Sequence, residues 1–95
     1  KMDFKVLSAD SLYYERKFPD AIKAYQALLD ENPTDYWKPG IMYMMANVCL
    51  ANKDIDKAKS LLNEIIEQYP ETSYGPQSVR KLDEIKELYE KKDGE

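Results

Sequence analysis

Cys49 is the side chain of this sequence with the chemistry of a strong nucleophile. The 95 residues include no histidine. A cysteine nucleophile relies on a base such as histidine, and a Ser–His–Asp triad or a histidine-ligated metal site needs the same residue type. Cys49 also falls in the middle of a predicted helix, on its apolar stripe, where a free thiol behaves as a small hydrophobic side chain. We therefore interpret Cys49 as a core residue and expect no catalytic residue.

Carboxylate pairs are the second group that could do chemistry, as acid and base or as ligands of a metal ion. Asp54 and Asp56 form one pair, and 83–87 contains others. These pairs lie among lysines on predicted helices, and Glu87 and Lys91 have the i, i+4 spacing of a weak surface ion pair. A phosphate-binding loop or a calcium loop would need clustered glycines, but the three glycines are isolated: Gly40, Gly75 and Gly94. We predict no metal, no cofactor and no enzymatic activity.

The overall charge and hydropathy exclude two further classes of function. The net charge is −4 and no cluster of five or more Lys and Arg occurs, whereas nucleic-acid binding depends on basic stripes. No run of 18 apolar residues is present, so we predict no transmembrane segment. The chain begins with Lys1, as we expect of an excised or processed piece, and the single cysteine leaves the redox compartment open.

The chain repeats itself with an offset of 37 residues. The segment 18–33 matches 55–70, and a second block, 39–48, matches 76–85 with the same offset. Within each block the apolar residues recur at spacings of three and four, which is typical of amphipathic helices. Because two separate blocks share one period, we predict a repeat of two helices. The predicted helices are 3–15, 19–31, 39–51, 55–68 and 76–91.

Prolines and polar residues mark the ends of these helices. Pro33 and Pro70 end the second helix of each unit, because a proline ring clashes with the preceding turn and offers no N–H. A proline suits the first turn of a helix, where the N–H lacks a helical partner, and this position is occupied by Pro39 and Pro76. Among the polar residues we predict N-caps at Asp54 and at Thr72 or Ser73.

The small, large and aromatic residues of the two units resemble the tetratricopeptide repeat. That repeat has small residues in both helices, large apolar residues at fixed positions and a closing proline. Unit one matches with Ala9, Leu12, Phe18, Ala21, Tyr25 and Pro33, and unit two with Ala46, Cys49, Ile55, Ala58, Leu62 and Pro70. The departures are Arg16 and Lys53 at the usual inter-helix glycine, Leu28 and Ile65 at a usually small position, and Lys5 and Ser8 at usually apolar ones.

This resemblance implies an all-α fold, a right-handed α-α superhelix of two helix hairpins followed by a capping helix. We expect one domain over 1–95, with repeat one at 3–33, repeat two at 38–70 and the capping helix at 75–91. A capping helix should bury one apolar stripe and expose charge elsewhere. On the fifth helix we predict that stripe to be Val79, Leu82, Ile85 and Leu88.

The linkers resemble those of a bacterial subset of the family. The period of 37, the linkers 34–38 and 71–75, and the phrase YPETS at 69–73 are similar to repeats of cell-envelope proteins of the Tol–Pal coordinator and outer-membrane-assembly lipoprotein types. The resemblance implies a periplasmic or cell-envelope location.

The eight tyrosines and one tryptophan exceed what two repeat cores need. We expect Tyr36, Trp37 and Tyr74, which lie in the linkers, to cover helix ends. In the family that the chain resembles, the first helix of each pair lines a concave binding groove. By that register the lining is Asp3, Val6, Asp10, Tyr13 and Tyr14, then Gly40, Tyr43, Asn47, Leu50 and Ala51, then Gln77, Arg80, Glu84 and Glu87.

From this lining we predict a site for a protein or peptide partner. Its residues are Asp10, Tyr13, Tyr14, Tyr43, Asn47, Leu50 and Arg80. Rigid aromatic side chains bind with little loss of rotamer entropy, and an amide can bond a peptide backbone. A family clamp for a C-terminal carboxylate is disfavoured, since only Asn47 and Arg80 fall near its positions and Asp10 and Glu84 repel the anion.

Two other interpretations stay open at this point. In the first, the chain is a structural part of a longer array or a self-association module, and its tyrosines pack on other helices. In the second, it is an accessory domain of an enzyme.

Overall fold

A computed structural model describes residues 2–90, with the side chains of 3–89. Within that range the chain forms five α-helices and no strand, which confirms the all-α prediction. The helices are α1 (Met2–Tyr14), α2 (Phe18–Asp30), α3 (Lys38–Ala51), α4 (Ile55–Gln68) and α5 (Tyr74–Ile85). Consecutive helices pack on each other, and α5 also contacts α3. The arrangement is two helix hairpins followed by a fifth helix.

The fifth helix differs from its predicted bounds of 76–91. It begins at Tyr74, so that Pro76 is its third residue, and its α-helical part ends at Ile85. The chain continues as a π-helical turn over Lys86–Glu90. The predicted end at Lys91 lies outside the described residues.

The two hairpins turn through residues with a left-handed backbone conformation. φ is +63° at Arg16 and +66° at Lys53, the two positions where the repeat usually has glycine. At the first turn the N–H of Lys17 bonds the carbonyl of Leu12 at 2.9 Å. The second turn repeats this geometry, with Asp54 bonding Cys49 at 2.8 Å. Both are Schellman turns, which satisfy the last carbonyls of the helix.

The predicted N-cap side chains do not cap their helices. Asp54 and Ser73 occupy the N-cap positions of α4 and α5, but neither side chain bonds a helical N–H. The hydroxyl of Thr72 instead donates to the carbonyl of Tyr69 at 2.8 Å. Asp54 has φ −93° and ψ 71°, outside the extended conformation of a capping residue. Its N–H closes the preceding Schellman turn.

The core is centred on α3, which is covered by its neighbours on most sides. Seven of its residues are buried: Pro39, Ile41, Met42, Met45, Ala46, Val48 and Cys49. From α2 and α4 the largest core side chains are Tyr25, Leu62 and Ile65. Helices α2 and α4 expose their polar faces, as amphipathic helices on a common core must.

The four alanines of the repeat pattern are fully buried. Ala9 and Ala21 lie in the first hairpin, and Ala46 and Ala58 lie in the second. A methyl group at each site allows the helix axes to approach to about 8–10 Å. Full burial at all four positions is what the interpretation of these alanines as steric notches requires.

The buried face of α5 is not the predicted stripe. Ile85 is 1% exposed and Leu82 is half-buried, but Val79 is 48% and Leu88 is 73% exposed. The buried positions near the start of α5 are Gly75 and Ser78. Packing against α4 and α3 brings the small residues inward, and this rotates Val79 toward solvent.

Candidate interaction surface

The first helices of the repeats, α1, α3 and α5, supply the residues predicted to bind a partner. We call the surface that they share the helix-A face. Eight of the fourteen predicted lining residues line three depressions formed by described residues.

The tyrosine cleft lies where the C-terminal ends of α1 and α3 meet. It has a volume of about 330 Å³ and is lined by Tyr13, Tyr14, Arg16, Phe18 and Ala51. The ring of Tyr13 lies 5.5 Å from that of Tyr14 and 5.8 Å from that of Phe18. Tyr14 is 76% exposed, so most of its ring is open to a partner.

The linker pocket lies at the opposite ends of α1 and α3. It has a volume of about 310 Å³ and is lined by Val6, Tyr36, Trp37, Gly40, Ile41, Met44 and Tyr74. Val6 and Gly40 were predicted lining residues. The pocket therefore joins α1, the first linker and the starts of α3 and α5.

Gly40 allows the ring of Tyr74 to close one side of the linker pocket. A Cβ atom at position 40 would come within 3.1 Å of the Tyr74 hydroxyl and 3.3 Å of its Cζ. About one turn further along α3, the ring of Tyr43 lies 5.6 Å from that of Tyr74, centroid to centroid. Tyr43 thus connects the linker pocket to the rest of the helix-A face.

Asp10 has a structural partner. Its carboxylate accepts a hydrogen bond from the hydroxyl of Tyr25, which is fully buried. Burial and this hydrogen bond to Asp10 both raise the pKa of Tyr25. The contact fixes α1 to α2, so Asp10 satisfies a buried hydroxyl in addition to lying on the predicted face.

The remaining predicted residues lie between and beyond the tyrosine cleft and the linker pocket. Asn47 and Leu50 are half-buried on α3, and the Asn47 amide has no hydrogen-bond partner among residues 2–90. Arg80 is exposed on α5, in a shallow depression with Asp83, Glu84, Glu87 and Leu88. The side chain of Gln77 donates to the carbonyl of Ser73 at 3.0 Å, and Asp3 accepts from the N–H of Phe4 at 2.9 Å.

Sequence reasoning missed the linker aromatics as surface residues. Tyr36, Trp37 and Tyr74 were expected only to cover helix ends, yet they form the walls of the linker pocket. A signal was present, because Trp37 and Tyr74 are separated by the repeat period of 37 residues. An aromatic residue at the same place in both units indicates a shared role at the repeat boundary.

The cysteine and the carboxylates that could do chemistry have structural surroundings without a catalytic partner among the described residues. Cys49 is buried, and burial, with a smaller effect of Asp54, raises the pKa of its thiol to about 11. The thiol is therefore protonated near neutral pH and sealed from solvent.

Lys81 pairs with Glu84 at 3.3 Å across the surface of α5. Within 2–90 no group of three or more His, Cys, Asp or Glu is arranged to hold a metal ion. Nor is any helix of that range long and apolar enough to cross a membrane.

The comparison with protein families assigns the fold. The model of the tetratricopeptide repeat family matches residues 12–75. The chain therefore belongs to the tetratricopeptide repeat family, whose members are in general non-catalytic scaffolds for protein interaction. Searches of curated proteins and of solved structures found no significant match.

Proposed function

We propose that this chain is a scaffold that binds a peptide or protein segment along the helix-A face. The observation that carries the proposal is the tyrosine cleft, in which Tyr14 is 76% exposed beside Tyr13 and Phe18. Exposed rigid aromatics offer a large contact area for little rotamer entropy, and binding energy concentrates at such residues. The unpaired amide of Asn47 is available for the backbone of the bound segment.

The charges of the helix-A face favour a neutral or basic segment. Asp3, Asp10, Glu84 and Glu87 outnumber Arg80 among the predicted lining residues. Opposite charge across an interface raises the association rate and discriminates against wrong partners. With two full repeats the contact area is small, so we expect dissociation constants of order micromolar.

The test uses peptides selected from a random displayed library on the immobilised chain. Each selected peptide is titrated into the isotope-labelled chain, and amide shifts are followed by NMR. We expect a surplus of Lys and Arg in the peptides and shifts clustered on Tyr13, Tyr14 and Tyr43. The variant Tyr43→Ala with Asn47→Ala should weaken binding while the far-UV spectrum stays helical. Unchanged affinity in that folded variant would remove the helix-A face as the site.

A second candidate is self-association or packing within a longer array. It is favoured by α1, whose outer side exposes Phe4 at 69% and Leu7 at 63%. These residues and Tyr14 share one side of the helix, as their spacing of three and seven residues requires. Sedimentation of the wild-type chain and of Leu7→Asp over a range of concentrations separates the two candidates. Loss of an oligomer in the variant would favour self-association.

The setting we propose is a bacterial cell-envelope complex. Support comes from the long linkers and the YPETS phrase at 69–73, which resemble envelope repeat proteins. Fractionation of the source cells with an antibody to the chain tests this: recovery with cytoplasmic markers alone would rule it out.

A further inference from the structure

The linker pocket has a lining that suits one kind of ligand group. The seven lining residues that the structure describes are uncharged, and three of them are aromatic. The rings of Tyr36 and Trp37 meet edge to face at 5.5 Å and 85°, and the ring of Tyr74 lies against Gly40. Ile41 and Met44 contribute aliphatic surface from α3, and Val6 contributes it from α1.

The linker pocket is large enough for one bulky side chain. At about 310 Å³ it lies at the lower limit of small-molecule sites, which occupy about 300–1,000 Å³. Met44 is half-buried, and its unbranched thioether adapts to ligand groups of different shape.

A cationic side chain is disfavoured in this pocket. Among the described residues, no carboxylate lines it. The carboxylate of the adjacent linker, Asp35, accepts a hydrogen bond from the hydroxyl of Tyr69 at 3.3 Å. A buried cation needs a charged partner as well as aromatic faces, and the pocket offers only the latter.

We propose that the linker pocket receives one bulky apolar side chain, aromatic or aliphatic, from the segment bound on the helix-A face. The proposal rests on the proposed function and adds to it the anchor residue of the partner. Continuity supports it: Val6 and Gly40 belong to the helix-A face, and Tyr43 packs on the Tyr74 wall at 5.6 Å. A segment crossing α3 toward the tyrosine cleft would pass the mouth of the pocket.

Binding in the pocket is followed by NMR at Trp37, the only tryptophan of the chain. Its indole N–H gives one resonance in the spectrum of the nitrogen-15-labelled protein. The ligands are N-acetyl-phenylalaninamide, N-acetyl-leucinamide and N-acetyl-lysinamide. We expect the first two to shift this resonance toward saturation and the third to leave it in place. Absence of any shift with the apolar amides, or a stronger effect of the lysine amide, would overturn the proposal.

Two variants show whether the shift reports the pocket. Tyr36 is 83% exposed, so Tyr36→Ala removes a wall at little cost to folding. We expect it to weaken binding of N-acetyl-phenylalaninamide about fivefold or more, as loss of an aromatic anchor contact does. The control is Val79→Ala, an exposed apolar residue outside the pocket, which should leave binding unchanged. Equal weakening in both variants would contradict the assignment.

A last arm separates this proposal from the proposed function. In each library-selected peptide the bulkiest apolar residue is replaced by Ala. If the peptide still binds but no longer shifts Trp37, the anchor is confirmed. If native and substituted peptides shift the Trp37 resonance equally, the proposal that this apolar side chain occupies the linker pocket is wrong. The proposed scaffold function is then unaffected. Saturation by the apolar amides with no peptide binding anywhere would support the pocket and remove the scaffold role. A Trp37 shift on concentrating the protein alone would identify a second copy as the occupant and overturn the proposal.

Discussion

Arg16 and Lys53 have a left-handed backbone conformation at the turns inside the two hairpins, although neither is glycine. A Cβ atom in this conformation costs about 1–2 kcal/mol, while glycine loses about 0.5–1 kcal/mol more backbone entropy on folding. Both residues complete a Schellman turn, so the strain is offset by hydrogen bonds to the last turn of the helix. Asn32 has φ +56° after α2, and asparagine tolerates this conformation better.

We expect Arg16→Gly to raise the free energy of unfolding by about 0.5–1 kcal/mol, because it removes the Cβ clash at φ +63°. Urea denaturation followed by circular dichroism measures the change. Arg16→Ala is the matched control, since it removes the same charge but keeps Cβ, and it should not stabilise. Equal stability of the two variants would show that strain at this turn is negligible.

Ser78 is fully buried on α5, and its hydroxyl has no hydrogen-bond partner among the described residues. We expect Ser78→Ala to raise the free energy of unfolding by about 1–3 kcal/mol, because a buried unsatisfied hydroxyl is removed. Ser60→Ala is the comparison, since Ser60 is exposed within α4 and reports helix propensity alone, about 0.5 kcal/mol. If the two variants have the same urea midpoint, burial of the Ser78 hydroxyl does not lower the free energy of unfolding.

The thiol of Cys49 makes the free energy of unfolding depend on pH in the alkaline range. Its pKa is raised from 9.0 to about 11 in the folded chain, chiefly by burial. Between these values the unfolded chain loses the proton while the folded chain keeps it, so the free energy of unfolding should fall as pH rises from 9 to 11. Urea titrations at several pH values measure the slope. Cys49→Ala should reduce this slope and leave the part due to Tyr25, whose pKa is also raised; an unchanged slope would assign it to other groups.

At the scale of the element, α5 shows how an amphipathic pattern can be rotated by its neighbours. Val79, Leu82 and Ile85 recur at a spacing of three, yet only Ile85 is fully buried. Gly75 explains the rotation, since a Cβ atom there would lie 2.6 Å from the carbonyl oxygen of Pro70. The backbone of α5 therefore approaches the end of α4 closely, on the side of its small residues.

This geometry predicts unequal effects of two similar truncations on α5. Ile85→Ala should lower the free energy of unfolding by about 2–5 kcal/mol, because it leaves a cavity in the core. Val79→Ala should change it by about 0.5 kcal/mol or less, as at a surface position. Thermal denaturation of the two variants measures the difference. If both variants lose a similar free energy of unfolding, Val79 is buried as the sequence predicted, and the orientation of α5 described above is wrong.

At the scale of the whole molecule, stability is distributed along a row of helices. Each helix packs chiefly on its neighbours in sequence, so an end helix covers a face that nothing else covers. The core runs through this row from Ala9 on α1 to Ile85 on α5, with its largest part on α3. A domain of this size has only about 5–15 kcal/mol of stability, so the loss of one end helix is a large fraction of the total.

We expect a chain that ends after Thr72 to lose cooperative unfolding or to aggregate. Removal of α5 exposes the sides of α4 and α3 on which it packs. Calorimetry and light scattering of the shortened and full chains measure the effect. A shortened chain with the same melting temperature and the same cooperativity would show that α5 is dispensable for the fold.

Much of the helical framework follows from residues close together in sequence. The period of 37, the prolines and the alanine notches predicted five helices and their pairing, and the structure has them. Periodicity determines which residues share a helix face, and the small residues determine where helices approach. These properties need no knowledge of contacts between distant segments.

Tertiary packing decided which of those faces became accessible surface. The linker pocket brings Val6, Trp37 and Tyr74 together from three segments, although their types alone suggested only covers for helix ends. Likewise Asp10 lies on the predicted face but accepts a bond from the buried hydroxyl of Tyr25. Helical periodicity gives a residue's angle around its own helix, whereas its neighbours depend on how the helices rotate and approach. The rotation and approach of the helices depend on how their side chains pack against each other, and this packing exists only in the folded chain.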